Sequence, residues 1–136
     1  MQLKKFVISV LAGSLSMWLL AGLWHKVIMA QYYAAVHNTT HEGTGIILTA
    51  YLILGIFMAY LYPLVYKGGR PTVEGLKFGM IIGLLWVFPH ELLAAGAHGS
   101  SISYVLKNAV LHMFEQGIGG IIIGIIYGRQ LMAEKS

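Results

Sequence analysis

Residues 45–66 read GIILTAYLILGIFMAYLYPLVY, an apolar run without a charged side chain or a histidine. An α-helix rises about 1.5 Å per residue, so about 20 such residues cross the hydrocarbon of a bilayer. In lipid the backbone must satisfy its own hydrogen bonds, which leaves helices or closed barrels. Three further runs lie around this one: Phe6 to Met29, about Val73 to Ala97, and about Ile102 to Tyr127. Four strands cannot close a barrel, so the sequence predicts an all-α, polytopic membrane protein with four transmembrane helices. The breaks between the runs carry turn chemistry: His37-Asn38-Thr39-Thr40, Lys67-Gly68-Gly69-Arg70-Pro71 and His98-Gly99-Ser100-Ser101.

Composition agrees. Of 136 residues, 57% are hydrophobic and 10% charged. A soluble domain carries about 25% charged residues to hold its surface in water. The length suits a single domain, residues 1–136. There is no cysteine, which excludes disulfides and thiolate metal sites. The first run begins after Lys4-Lys5 like a signal peptide, but it exceeds the usual apolar core of about 7–15 residues, and Ile28 fits poorly before a cleavage at Ala30. It is expected to stay as a helix.

The net charge of +4 reads as an orientation signal, and no basic patch interleaved with aromatics suggests nucleic acid. Lys4, Lys5, Lys67, Arg70, Lys77, Arg129 and Lys135 fall on one side of the predicted spans; Lys26 and Lys107 fall on the other. The positive-inside rule puts both termini in the cytoplasm, in a bacterial inner membrane, with the loops near 31–43 and 98–107 outside.

A shift of 65 residues lays Gly55, Ala59 and Tyr62 on Gly120, Gly124 and Tyr127, and His25 on His90. One ungapped offset joins both helix pairs, which predicts a 2+2 parallel internal repeat with halves of about 1–68 and 69–136. Gly75, Gly79 and Gly83, and again Gly120, Gly124 and Gly128, recur every fourth residue. Small residues at that spacing let helix backbones approach closely, either within one chain or across a homodimer.

All six histidines fall in the outer half. His112, Glu115 and Gln116 share a face of the fourth helix, and a carboxylate in hydrocarbon must turn inward and find partners. The sequence therefore suggests an outward-opening polar pocket of His25, His90, Glu91, His112, Glu115 and Gln116, with Glu115 at its floor. Pro89 is expected to loosen the third helix beside it. Three readings compete: buried polar groups that satisfy one another; a site for a protonatable or small solute; and a divalent metal or haem site using His25, His90, His112 and Glu115. No His-Glu-x-x-His motif occurs, and Ser100, Ser101 and Ser103 have no aspartate to complete a triad. The leading expectation is a non-enzymatic membrane protein that binds or passes a small solute or serves as a subunit of a membrane complex. His37 and His41 are expected to be solvated.

The end of the first run, Ala21-Gly22-Leu23-Trp24-His25, and the stretch Gly69-Arg70-Pro71-Thr72-Val73-Glu74-Gly75-Leu76-Lys77-Phe78-Gly79 resemble a family of small four-helix bacterial membrane proteins of unknown function. Where that family ends the helix in Trp-Tyr, this chain has Trp24-His25. The resemblance implies the topology and no chemistry.

Overall fold

The computed structural model describes residues 3–31 and 43–133, with side chains as far as Gly128. His37, His41, Glu42, Glu134 and Lys135 lie outside the described residues. Four helices form: α1 (Leu3–Leu23), which runs on as a π-helical turn over Trp24–Ile28, α2 (Thr44–Val65), α3 (Pro71–His98) and α4 (Ile102–Ala133). No strand occurs among the described residues. All four helices are long and apolar enough to cross a membrane; the shortest span, α2, has 22 residues. Large apolar side chains such as Leu11, Ile53, Leu85, Val110 and Phe114 point outward on every helix. On a soluble protein such a belt would aggregate; facing lipid it is at home.

The ends of the helices are set by local chemistry. Pro71 opens α3, where its missing N–H costs nothing. Glu74, in the first turn of α3, accepts from the backbone N–H of Lys67 (2.9 Å) and of Gly69 (3.0 Å). The carboxylate thus ties down the tight turn in which Gly68 adopts φ 95°. At the other end Gly99, φ 74°, donates to the Ala95 carbonyl and stops α3 in a left-handed cap. Ser101 then accepts from the Tyr104 N–H at 3.2 Å and starts α4. Glu74→Ala is expected to lower stability by about 1–2 kcal/mol, read as a modest fall in melting temperature in detergent; no change would mean water replaces both bonds.

α4 is the central helix. It packs most extensively against α3 and also against α1, while α2 lies mainly on α1. α1 and α3 do not touch among the described residues. The α3–α4 contact is made by glycine. A Cβ on Gly75 would meet the Gly120 carbonyl, on Gly79 the Gln116 carbonyl, and on Gly83 the His112 carbonyl. Gly124 and Gly128 close in the same way on Pro71. All six glycines of the two stripes are therefore used within one chain, so a dimer built on those stripes is left without them. Two prolines sit inside helices, Pro63 and Pro89, and both helices continue through them. Pro89, where loosening is expected, does not end the helix, since one lost bond is little in a run of 28 residues. The irregular turn lies instead in α1, where the Met29 N–H reaches back five residues to the Trp24 carbonyl at 2.8 Å.

The half of the bundle nearer the α2–α3 turn holds the main apolar core. Met17, Met58, Ala59, Tyr62 and Ile123 are fully buried. Tyr62 stands among Tyr66, Phe78 and Tyr127 at centroid distances of 5.8, 5.6 and 6.4 Å. Its hydroxyl donates to the Pro71 carbonyl at 3.1 Å.

Candidate functional site

On α4, residues three and four apart fall on one face, which places His112, Glu115, Gln116, Gly119 and Gly120 together. Gly79 and Gly83 draw α3 onto the backbone of that stretch. The side chains of Glu115 and Gln116 are driven inward, and both residues are fully buried. Gln116 Nε2 donates to Glu115 Oε1 at 3.1 Å. His112 Nδ1 stands 3.8 Å from Glu115 Oε2, within ion-pair range but beyond a hydrogen bond. Three atoms are left over: His112 Nδ1, Glu115 Oε2 and Gln116 Oε1 are buried with no hydrogen bond among the described residues. Two of the three are oxygens that can only accept, unless the carboxyl is protonated.

Two side chains wall this group off. The Tyr51 hydroxyl, from α2, interacts with the Glu115 carboxyl. His25, on the π-turn of α1, lies within electrostatic reach of His112. Its Nδ1 donates to the Ala21 carbonyl at 2.9 Å, which makes Nε2 the acceptor nitrogen of the neutral ring. Tyr51 and His25 also line a chamber of about 760 Å³ between the C-terminal end of α1 and the N-terminal end of α2. Its other walls include Trp18, Leu19, Gly22 and Ile47. A Cβ on Gly22 would have nothing within 4 Å, so the space continues up to the helix backbone.

Of the six side chains expected in one pocket, the structure gathers His112, Glu115 and Gln116, and sets His25 beside them. It does not gather the other two. His90 is exposed, and Glu91 turns to α4 lower in sequence, where it accepts from Asn108 Nδ2 at 3.0 Å. The cause is the register of α3. Gly75, Gly79, Gly83 and Val87 form a buried row every four residues, and the next places in that row are 91 and 95, not 90. The four candidate metal ligands therefore do not assemble; among the described residues no three of His, Asp and Glu stand together as a ligand group. Sequence reasoning missed Tyr51 and Asn108. Asn108 had a signal, since it stands four residues before His112 and seven before Glu115, on the same face. Tyr51 had none, because only the packing of α2 brings it to Glu115.

Comparisons with known families, with curated proteins and with solved structures give no match. The resemblance carried by residues 21–25 and 69–79 rests on those residues alone.

Proposed function

We propose that this multi-pass protein binds a small solute in the outer half of the membrane, at Glu115, and does so without catalysing a reaction. One observation carries the proposal: three polar atoms on one face of α4 are buried without a hydrogen bond among the described residues, and Tyr51 and His25 join them to a chamber large enough for a ligand. Buried polar groups kept only for structure satisfy one another, because each orphan costs about 1–3 kcal/mol. Such acceptors beside a chamber can take hydrogen bonds from a molecule seated there. Passage of the solute, or a place in a larger complex, would be an extension of the same role.

The experiment follows from the cost of those orphans. Glu115→Met removes a buried carboxyl of which one oxygen has no hydrogen bond among the described residues, while keeping length and volume, so it should raise the melting temperature of the purified protein in detergent. A fall in melting temperature would show that the carboxyl holds the helices together, and would overturn the proposal.

We place the protein in a bacterial inner membrane with both termini cytoplasmic, on the strength of seven of nine basic residues falling on one side. Reporter fusions after residues 40, 69, 100 and 136 should then alternate out, in, out, in. A C-terminal reporter that is active outside would sink this placement.

The internal repeat belongs to the same proposal, and the packing supports it. A Cβ on Gly55 would meet Ser14 Oγ and the Val10 carbonyl; a Cβ on Gly120 would meet the Gly75 carbonyl and Gly79 Cα. Adding 65 to 10, 14 and 55 gives 75, 79 and 120, so the two contacts are equivalent. The same offset pairs Trp18 with Gly83. Glycine lets α3 lie against α4, whereas Trp18, at the corresponding place on α1, lines the chamber between α1 and α2. In this reading the chamber exists because one half of the duplication gained a wedge where the other kept a glycine.

A further inference from the structure

We propose that the solute is a neutral, lipid-soluble molecule with a hydroxyl-bearing ring as its head, a phenol or quinol amphiphile, seated with the ring hydroxyl on Tyr51. The proposal rests on the solute-binding reading of Glu115 and adds the class of ligand.

The walls of the chamber decide the body of the ligand. Leu19, Gly22, Val27 and Ile47 offer no hydrogen bond, and Trp18 and Tyr51 offer ring faces. A hydrated ion or a sugar would lose its water shell against such walls with nothing in return. A chamber of about 760 Å³ holds an aromatic ring and several further carbons, within the usual range for small-molecule sites. The chamber lies between two membrane-spanning helices, and Leu19 and Val27 on its rim are also exposed on the outside of the bundle. A molecule dissolved in the bilayer can therefore enter sideways.

The polar end decides the head. A tyrosine hydroxyl has one proton to give. Given to the Glu115 carboxyl, with which Tyr51 interacts, it leaves the phenolic oxygen as an acceptor on the chamber side. Behind it, Glu115 Oε2 and Gln116 Oε1 are acceptors as well. On the chamber lining itself the Tyr51 oxygen calls for a donor from the ligand, and the Thr44 hydroxyl can meet a donor or an acceptor. Charge then separates a hydroxyl from an ammonium. Lys26 lines the same chamber and repels a cationic head, and an anionic head brings no proton to the Tyr51 oxygen. A neutral hydroxyl meets neither objection.

The test uses the full chain, purified in one detergent, with binding expressed per mole fraction of amphiphile in the micelle. Three probes share an eight-carbon tail: 4-octylphenol, octylbenzene and octylammonium. 4-Octylphenol is expected to bind at least about tenfold more tightly than octylbenzene, the factor one good hydrogen bond supplies, and more tightly than octylammonium. Tyr51→Phe should remove that advantage while leaving octylbenzene unchanged. Gly22→Leu, which fills open space rather than a contact, should weaken both neutral probes. Equal affinity for octylphenol and octylbenzene, an unchanged Tyr51→Phe, or a preference for octylammonium overturns the ligand class. If any of these occurs while Glu115→Met still stabilises the protein, the site stands and only its ligand has been misread; if Glu115→Met destabilises it, the site reading itself falls.

Discussion

Gly79→Leu should yield no folded protein in mild detergent, whereas Gly96→Leu, on the same helix, should behave like the parent. A Cβ on Gly79 would meet the carbonyl oxygen and carbon of Gln116 and, at 2.8 Å, the Cα of Gly117. These are backbone atoms of α4 and cannot rotate away as a side chain can. The only relief is to move α3 and α4 apart. That would undo the contacts of Gly75, Gly83 and Gly120 together, because one rigid row of glycines makes them all. In lipid the lost contact is not replaced by any hydrophobic drive, since the acyl chains are as apolar as the leucine. A loss of more than about 4 kcal/mol is the expected scale for backbone overpacking of this kind. A Cβ on Gly96 would have nothing within 4 Å. Yield and melting temperature of the two variants measure the difference, and similar values would mean that α3 and α4 can be held apart at little cost.

The same row of glycines shows what could be read from sequence and what could not. Four helices were legible because lipid imposes one rule, an apolar run of sufficient length, and each run obeys it. The close face of α3 was legible because three glycines at a spacing of four mark it. His90 was misplaced by ignoring that spacing one turn further on: continued from Val87, the row reaches Glu91, and the histidine beside it turns out. His112, Glu115 and Gln116 could be grouped because helix geometry alone puts them on one face. Their walls could not. Tyr51 reaches Glu115 through the position of a different helix, and the chamber depends on how far α1 stands from α2 near Trp18. The π-turn at Trp24–Ile28 carries no proline or glycine pair to announce it, so nothing local predicted where His25 would stand.

The site is polar toward one end of the bundle only. Going from Glu115 toward the C-terminal end of α4, the next residues on the same face are Gly119, Ile123 and Tyr127. Met17 closes onto Gly119, and Ile123 onto Gly13. Both Met17 and Ile123 are fully buried, as is Met58 in the same cluster. Ser14 Oγ lies between these two closures, and beyond them come Ser9 Oγ and the Tyr127 hydroxyl, all three buried and without hydrogen bonds among the described residues. Two polar regions are thus separated by about two turns of helix filled, apart from the Ser14 hydroxyl, with thioether and hydrocarbon. Without that layer a chamber open at one end would become a path through the membrane.

Met17→Ala is therefore expected to do two things that Leu15→Ala does not. It should cost about 2–4 kcal/mol, the usual price of emptying a fully buried thioether site, while Leu15, 51% exposed on the outer surface, should cost under about 1 kcal/mol. It should also weaken the seal. Because the chain has no cysteine, Ser9→Cys supplies a single thiol on the far side of the layer. A membrane-impermeant thiol reagent added on the His25 side should leave that thiol untouched in the otherwise unchanged protein. Met17→Ala alone leaves Ile123 seated against Gly13, so labelling should rise little. Met17→Ala with Ile123→Ala removes both closures, and labelling from the His25 side should then become rapid. Labelling of Ser9→Cys without either substitution would show that the layer is not a seal. No labelling even in the double variant would show that Met58 and its neighbours collapse into the space, so that closure belongs to the whole core rather than to these two side chains.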